Sequence, residues 1–344
     1  MATPKKIGIL TAGGDCPGLN AAIRGVGKTA ILKYGMEVIG ISSGYLGLLE
    51  KDYIPLDEAS LSGILTLGGT ILGTSREKPF KKNHDLANTK PEKIKRNYLE
   101  EGFDAIVCIG GNGTMKTAAL LAEQGLNVIG IPKTIDNDVY GTEQSFGFDS
   151  SLCIATDAID RLHSTANSHK RIMVIEVMGH HAGWLALYAG IAGGGDVILI
   201  PELGYDMKSV NRYLKKRVKS GKPYSIVVVA EGIKKPAKLS AASYIAAKIE
   251  DGVGVETRNT ILGYIQRGGS PSPMDRILAS RYGARAVDLI ASEDYGKMVM
   301  KSGDNISVIP LSEVGGKLNL VPADHPLIER ARGFGVCFGE PGLE

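Results

Sequence analysis

Two carboxylates and a hydroxyl lie close together in residues 134–138, directly after an apolar run that ends at Ile131. Two carboxylates that are two residues apart on a loop are hard to bury together, because desolvation and mutual repulsion oppose it. Asp136 has the chemistry of a general base for a hydroxyl group, and Asp138 that of a ligand for water or Mg²⁺. Taken alone, the segment is equally typical of an ordinary Asn/Asp turn.

Two glycine turns could approach phosphate groups through main-chain amides. Gly13 and Gly14 follow one apolar run, and residues 110–113 follow another, each ahead of a helix-like segment. Neither turn has the spacing of a Walker A loop or of the Gly-x-Gly-x-x-Gly fingerprint. Amides and helix dipoles at such positions suit successive phosphates, but a tight structural turn would explain each glycine pair as well.

Four arginines stand beside Gly, Ser, Thr or Gln at expected loops or strand ends, a setting that suits bidentate phosphate binding. They are Arg76, Arg171, Arg258 and Arg267. Together they indicate a sugar-phosphate substrate and a charged transition state. His180 and His181 have no third ligand at metal-binding spacing, so we interpret them as polar contacts near a helix start.

Composition favours small-molecule chemistry in the cytoplasm. The 40 basic and 37 acidic residues leave a net charge of +3, which is too small to indicate nucleic acid or a membrane surface. The four scattered cysteines predict reduced thiols in a cytosolic protein. Neither a signal region nor an apolar run long enough to span a bilayer is evident, so we expect no membrane partner.

Short apolar runs alternate with helical patterns and predict an α/β fold. The predicted strands are residues 7–10, 37–41, 105–109, 128–131, 172–178, 197–200, 225–230 and 260–264. The predicted helices include residues 19–34, 115–124, 151–165, 181–191 and 275–291. We expect two Rossmann-like three-layer α/β/α domains with mainly parallel sheets, whose strand ends gather the polar loops on one edge.

We place the domain boundaries at the loops between these elements. A phosphate-donor domain is expected from residues 1–147 plus about 266–318. A sugar-phosphate domain is expected from residues 148–265 plus about 319–344.

Six ordered motifs, each with suitable strand context, resemble the phosphofructokinase family between Lys5 and about Leu289. They are GGDCPGLN (13–20), GGNGT (110–114), PKTIDND (132–138), VMG (177–179), AEG (230–232) and LGYIQRGG (262–269). Members of this family phosphorylate fructose 6-phosphate at its 1-hydroxyl. The resemblance therefore implies a phosphotransferase of glycolysis with ATP as phosphate donor and Mg²⁺ as cofactor.

The resemblance also implies individual roles. Asp136 would be the base on the sugar hydroxyl, with Thr134 beside it, and Arg76 would bridge donor and acceptor phosphates. The implied donor-site residues are Gly14, Arg76, Glu77, Gly111, Asn112, Gly113 and Thr114. The implied acceptor-site residues are Thr134, Ile135, Asp136, Met178, Gly179, His180, Glu231, Tyr264 and Arg267, with Arg171 and Arg258 from a neighbouring subunit. A homodimer or homotetramer with shared sites follows from that last pair.

Three positions depart from the bacterial ATP-using pattern. His180 stands where arginine is usual, and Tyr264 where histidine is usual. Asn112 replaces an aspartate that contacts Mg²⁺, which leaves Asp138 and Asn112 as the implied metal contacts.

Two positions bear on the donor. Gly113 leaves open the space that a nucleoside needs, which favours ATP over pyrophosphate. Lys133 is typical of pyrophosphate-using members, but related ATP-using members carry it too. The alternatives are a pyrophosphate-dependent phosphofructokinase and, from another class, a non-catalytic relative that binds sugar phosphate or nucleotide.

Overall fold

The computed structural model describes residues 5–81 and 89–342, which form two compact units. Unit 1 comprises Met1–Thr134, Val139–Ser150 and Arg267–Asn319, and unit 2 comprises Ile135–Asp138, Ser151–Gln266 and Leu320–Glu344. The expected boundary assigned residues 135–138 to the first domain, whereas these four residues cluster with unit 2. These residues come after the strand that ends at Pro132, so the main-chain hydrogen bonds of that sheet no longer hold them.

Eleven strands and eleven helices are formed by the described residues. The strands are β1 (Lys6–Ala12), β2 (Glu37–Ile41), β3 (Tyr53–Pro55), β4 (Ala105–Gly110), β5 (Val128–Pro132), β6 (Ile172–Val177), β7 (Val197–Leu199), β8 (Ser225–Ala230), β9 (Thr257–Ile261), β10 (Lys297–Ser302) and β11 (Asn305–Pro310). The helices are α1 (Leu19–Tyr34), α2 (Tyr45–Glu50), α3 (Lys90–Glu101), α4 (Asn112–Glu123), α5 (Phe148–His169), α6 (Trp184–Ala192), α7 (Met207–Lys219), α8 (Ala241–Val253), α9 (Pro273–Ala291), α10 (Leu311–Val314) and α11 (Pro326–Gly333).

Unit 1 contains a seven-stranded sheet in the order β11-β10-β5-β4-β1-β2-β3. Its five central strands are parallel, and the edge strands β3 and β11 are antiparallel to their neighbours. The central strand β4 is buried at every position. Continuous apolar strands of this kind require cover on both faces, and helices lie on both sides of the sheet.

Unit 2 contains a four-stranded parallel sheet in the order β7-β8-β6-β9. Strands β6 and β8 are buried throughout and pair in register from Ile172 with Ser225 to Val177 with Ala230. The predicted fold class, two α/β units with mainly parallel sheets, is therefore confirmed. Among the described residues, no helix is both long and apolar enough to cross a bilayer.

Several element predictions were wrong in their limits, and two of them bear on the site. The strand expected at residues 260–264 is β9, which begins at Thr257, and Tyr264 lies instead in a 3₁₀ turn, Gly263–Arg267. Since β9 is a half-exposed edge strand with the sequence TRNTI, apolar character does not mark its start. The helix expected from Met115 begins at Asn112, because Gly111 takes the N-cap position.

Candidate functional site

The two glycine turns of unit 1 lie side by side at the carboxyl ends of neighbouring strands. Strands β1 and β4 pair in parallel from Ile7 with Ala105 to Ala12 with Gly110. Within the sheet, β2 lies next to β1 on one side, whereas β4 and β5 lie on the other side of β1. Ligands of open α/β sheets bind at such a change in direction, outside the carboxyl ends of the strands.

The first glycine turn holds the loop that carries Arg76. The amide of Gly13 donates to the carbonyl of Ser75 at 3.0 Å, and the hydroxyl of Thr74 donates to the carbonyl of Gly13 at 2.6 Å. These two bonds fix the main chain directly before Arg76, whose side chain is exposed. The next residue, Glu77, forms an ion pair of 2.7 Å with Lys90. Thr74 and Ser75 were not predicted as site residues, because their role depends on hydrogen bonds to Gly13, which is distant in the sequence.

The second glycine turn leads into α4 without a side-chain cap. Gly111 is the N-cap residue and supplies no side-chain cap to the helix. Thr114 links the two turns, because its hydroxyl donates to the carbonyl of Ala12 at 3.4 Å. A Cβ atom at Gly110 would lie 2.2 Å from Thr114 Oγ1, whereas one at Gly113 would meet nothing within 4 Å. The turn is closed on the Gly110 side and open on the Gly113 side.

Two cations lie against the first glycine turn. The Lys133 side chain is 3% exposed, and its ammonium group donates to the carbonyl of Gly14. The Arg267 guanidinium donates from Nη1 to the carbonyl of Asp15 at 3.1 Å, and a Cβ atom at Gly14 would lie 2.4 Å from that nitrogen. Within the described part of the chain, the buried Arg267 Nε has no hydrogen-bond partner. Buried donors of this kind favour an anionic ligand.

The loop after β5 carries the predicted carboxylates. Its main chain is fixed within unit 1 at Thr134, whose amide donates to the carbonyl of Phe146 at 3.3 Å and whose carbonyl accepts from the Ser145 hydroxyl at 2.9 Å. Within unit 2, Ile135 is fully buried, and Asp136 and Asp138 are 9% and 7% exposed.

The oxygen donors predicted for a metal fit Mg²⁺ in kind. Asp138 offers a carboxylate and Asn112 an amide carbonyl, both hard ligands of the type that Mg²⁺ prefers. No group of three or more His, Cys, Asp or Glu that could hold a metal occurs in the described ranges. The ion would therefore need phosphate oxygens and water to complete its coordination, as is usual for Mg²⁺ at phosphate sites.

In unit 2, a single glutamate shapes the turn after β6. The amide of His180 donates to Glu231 Oε1 at 2.9 Å, and the Glu231 amide donates back to the carbonyl of Val177 at 2.9 Å. Gly179 has a φ angle of 146°, and a Cβ atom at Gly232 would lie 2.0 Å from the carbonyl oxygen of His180.

A buried glutamine holds the start of the same turn. The amide of Met178 donates to Gln266 Oε1 at 2.9 Å, and Gln266 is fully buried. The predicted acceptor residues 178–180 and Glu231 are thus brought together. Tyr264 lies on the 3₁₀ turn with 76% of its surface exposed.

Arg171 and Arg258 lie at the other end of the same sheet. Arg171 directly precedes β6, and Arg258 is the second residue of β9, so both stand at the amino ends of strands. The six residues of β6 separate Arg171 from the turn at Met178 by about 20 Å. Both arginines pair with Glu256, at 2.7 Å for Arg171 Nε, and the hydrogen bond from Arg171 lowers the pKa of this carboxyl. One copy of unit 2 therefore does not bring all the predicted acceptor residues together.

These features define a doubly wound α/β protein whose first unit presents two glycine turns with two cations beside them. The comparisons with known proteins give the family. The sequence profile described as phosphofructokinase matches residues 6–290. The chain therefore belongs to the phosphofructokinase family.

Full-length bacterial relatives are similar over nearly the whole chain. The ATP-dependent 6-phosphofructokinase 3 of Bacteroides thetaiotaomicron is 62% identical, and the alignment covers 97% of this chain and 100% of that protein. The ATP-dependent 6-phosphofructokinase of Spirochaeta thermophila is 55% identical, with 98% of each chain covered.

Solved structures share the fold. The phosphofructokinase of Saccharomyces cerevisiae superposes with a TM-score of 0.81 at 33% identity, over 90% of this chain and 45% of the yeast chain. The pyrophosphate-dependent enzyme of Marinobacter aquaeolei gives a TM-score of 0.84 at 21% identity, over 99% of this chain and 94% of that chain. At that identity the likeness concerns the fold alone.

Proposed function

We propose that this chain is an ATP-dependent 6-phosphofructokinase, a phosphotransferase that moves the γ-phosphoryl group of ATP to the 1-hydroxyl of D-fructose 6-phosphate in glycolysis. The observation that carries the proposal is the cationic site of unit 1, where two glycine turns at the ends of β1 and β4 meet Lys133 and Arg267. The 62% and 55% identical relatives bear the same activity in their names.

The donor phosphates would bind main-chain groups of unit 1. The donor site would be lined by Gly14, Gly111, Asn112, Gly113 and Thr114. The N-terminus of α4, whose N-cap residue Gly111 has no side chain, attracts negative charge. Arg76 and Glu77, on the loop tied to Gly13, would complete it. The open space at Gly113 supports a nucleotide rather than pyrophosphate, because a larger donor needs room beyond its phosphates.

The acceptor hydroxyl would be activated by the carboxylate of Asp136. A general base must be deprotonated at the working pH and lie within hydrogen-bond reach of the proton that it removes. Thr134 and Ile135 would position the sugar beside it. The sugar phosphate would be held by Met178, Gly179, His180, Glu231, Tyr264 and Arg267. Arg76 would neutralise the charge that develops on the transferred phosphoryl group.

Asp138 and Asn112 would hold Mg²⁺ together with the donor phosphates. The ion would supply charge neutralisation on the phosphate oxygens. An amide at position 112 provides a carbonyl oxygen without the charge attraction of a carboxylate, so Asp138 would contribute most of the protein's binding free energy for the ion.

A donor comparison tests the proposed function. Formation of fructose 1,6-bisphosphate should be measured with ATP and with pyrophosphate at several Mg²⁺ concentrations. We expect turnover with ATP and none with pyrophosphate. Turnover with pyrophosphate alone would establish the pyrophosphate-dependent enzyme, and binding of fructose 6-phosphate without turnover by either donor would establish a non-catalytic relative.

A self-assembled dimer or tetramer with shared sites is part of the same proposal. Its support is the position of Arg171 and Arg258 at the amino ends of β6 and β9, opposite the acceptor turn of their own sheet. Mixing the variants Asp136→Asn and Arg171→Ala should restore activity that neither has alone, because a hybrid contains one intact site. Failure to recover activity in hybrids would remove the shared-site arrangement.

A further inference from the structure

Helix α7 carries a row of five cations along one side. Its 13 residues contain no Asp or Glu and six basic residues. Five of them, at spacings of three, four and one, fall on a single stripe: Lys208, Arg212, Lys215, Lys216 and Lys219. Residues three or four positions apart share a helix face, and the adjacent pair Lys215 and Lys216 widens this stripe to about 100°. All five are exposed, whereas Ser209, Val210 and Leu214 form the buried side.

No carboxylate of the described chain pairs with any of the five. The sixth basic residue, Arg217, differs, because its guanidinium forms an ion pair of 2.7 Å with Asp196. The basic residues of α3 differ as well. That helix also contains Glu92, Glu100 and Glu101, and its Lys90 pairs with Glu77. The overall net charge of +3 therefore conceals a local surface of uncompensated positive charge on α7.

The stripe borders a groove between α7 and α8. The groove has a volume of about 660 Å³ and is lined by the five cations together with Asn211 and Gly252. Its floor is a close approach of the two helices, since a Cβ atom at Gly252 would lie 1.8 Å from Asn211 Nδ2. The same Asn211 nitrogen donates to the carbonyl of Lys248 at 3.2 Å. The cations thus border an open groove where the two helices pack.

The length of this groove suits a nucleic-acid duplex. The five cations span about 16 Å along the helix axis. Over the same distance along a duplex axis, each strand carries about five phosphates. We propose that this stripe binds the phosphate backbone of a double-stranded nucleic acid without reading its sequence.

Other occupants fit the stripe less well. A second copy placed face to face would oppose like charges. Membrane-surface helices carry large apolar side chains beside their basic residues, whereas Val218 is the exposed large apolar residue on α7. Sites for single strands use aromatic side chains as stacking platforms. The aromatic residue of α7 is Tyr213, whose hydroxyl donates to the carbonyl of Gly335 at 2.7 Å.

The test is binding of the full-length protein to a fluorescein-labelled 24-base-pair duplex, measured by anisotropy between 50 and 200 mM salt. Five phosphate contacts predict a slope of about −4.5 for log K against log salt concentration. Lys215→Gln/Lys219→Gln should weaken binding at least tenfold and reduce the slope to about −2.7. The matched control Lys93→Gln/Arg96→Gln removes the same charge from α3 and should leave both values unchanged.

Four outcomes would overturn the proposal. They are no duplex binding at 50 mM salt, equal weakening by both double variants, binding to vesicles of anionic phospholipid but not to the duplex, and binding to inorganic polyphosphate but not to the duplex. Neither double variant touches a proposed active-site residue, so unchanged phosphofructokinase activity and circular dichroism confirm that each variant is folded.

Discussion

The two units hold their strand-end turns in different ways. In unit 1 the turns consist mainly of main chain, and cationic side chains are bound to it: Lys133 donates to the carbonyl of Gly14, and Arg267 donates to the carbonyl of Asp15. In unit 2 the side chains of Glu231 and Gln266 hold the turn by accepting from main-chain amides. The first arrangement suits phosphate binding, whereas the second places side chains where chemistry and sugar recognition are expected.

The strongest test of this contrast removes the charge of one carboxylate. Asp136→Asn should lower kcat by about 10²- to 10⁴-fold, the usual contribution of a general base, and leave the KM values for ATP and fructose 6-phosphate within about threefold. Steady-state kinetics with calorimetric binding of fructose 6-phosphate would measure the two effects separately. Wild-type turnover in this variant would show that another group takes the proton.

A methyl group at Gly110 should damage the main-chain site of unit 1. Since its Cβ atom would lie 2.2 to 2.6 Å from three atoms of the buried Thr114 side chain, the start of α4 must shift. Overpacking of this kind costs about 1–3 kcal/mol, and we expect the KM for ATP to rise by about tenfold or more, with little change in the KM for fructose 6-phosphate.

The matched control for that variant is Gly204→Ala, where a Cβ atom would meet nothing within 4 Å. It should keep wild-type kinetics. A Gly110→Ala protein with an unchanged KM for ATP would mean that the donor phosphates do not depend on this turn.

Gly232→Ala should produce the converse effect in unit 2. Its Cβ atom would lie 2.0 Å from the carbonyl oxygen of His180, so the turn after β6 must move. We expect the KM for fructose 6-phosphate to rise several-fold while the KM for ATP stays the same. A rise in the KM for ATP of equal size would contradict the division of labour between the two units.

The smallest expected effect concerns stability rather than catalysis. In unit 1, burial raises the pKa of Asp275 from 3.8 to about 6, although the Ser150 amide and hydroxyl donate to its Oδ2 at 2.8 and 2.6 Å. Because the folded state binds the proton more tightly than the unfolded state, this group favours folding below pH 4, and that contribution is lost as the pH rises through 6. The loss amounts to at most about 3 kcal/mol.

Urea denaturation at pH 4.5 and pH 7 would measure this loss, which Asp275→Asn should largely remove without changing activity. Any decline in the free energy of unfolding that remains would come from Asp196 of unit 2, whose pKa is also raised by burial. The control Asp57→Asn should keep the full decline, because hydrogen bonds from Ser60 lower the pKa of that exposed carboxyl. An unchanged pH dependence in Asp275→Asn would show that this carboxyl is ionised in the folded protein.

Much of the fold could be predicted because the relevant signals are local. Strands such as β4 and β8 are continuous apolar runs, and α1 ends before Gly35, which has a φ angle of 63° at the C-cap. The strands β3, β10 and β11, which lie at or next to the edges of their sheet, were missed, and β9 was placed three residues late. Edge strands are partly exposed and mix polar with apolar residues, so their composition resembles that of loops.

The site residues likewise divide into those marked by a local sequence pattern and those that depend on distant contacts. The segments around Gly14, Gly111 and Asp136 stand out in the sequence, because a glycine turn or a pair of carboxylates after an apolar strand is a local pattern. Thr74 and Ser75 did not stand out, since their importance comes from hydrogen bonds to Gly13, about 60 residues away along the chain. The five unpaired cations of α7 were likewise missed, because the net charge of the whole chain is only +3.

The sequence by itself determined the α/β class, the resemblance to phosphofructokinases and the chemical types of the site residues, because apolar runs, glycine turns and short motifs act over a few residues. The tertiary structure alone decided which distant groups meet. It placed Lys133 and Arg267 on the first glycine turn, Glu231 on the turn at His180, and Arg171 and Arg258 on Glu256 at the opposite end of their sheet. Strand order and direction fix these positions, and they depend on packing between segments far apart in the chain.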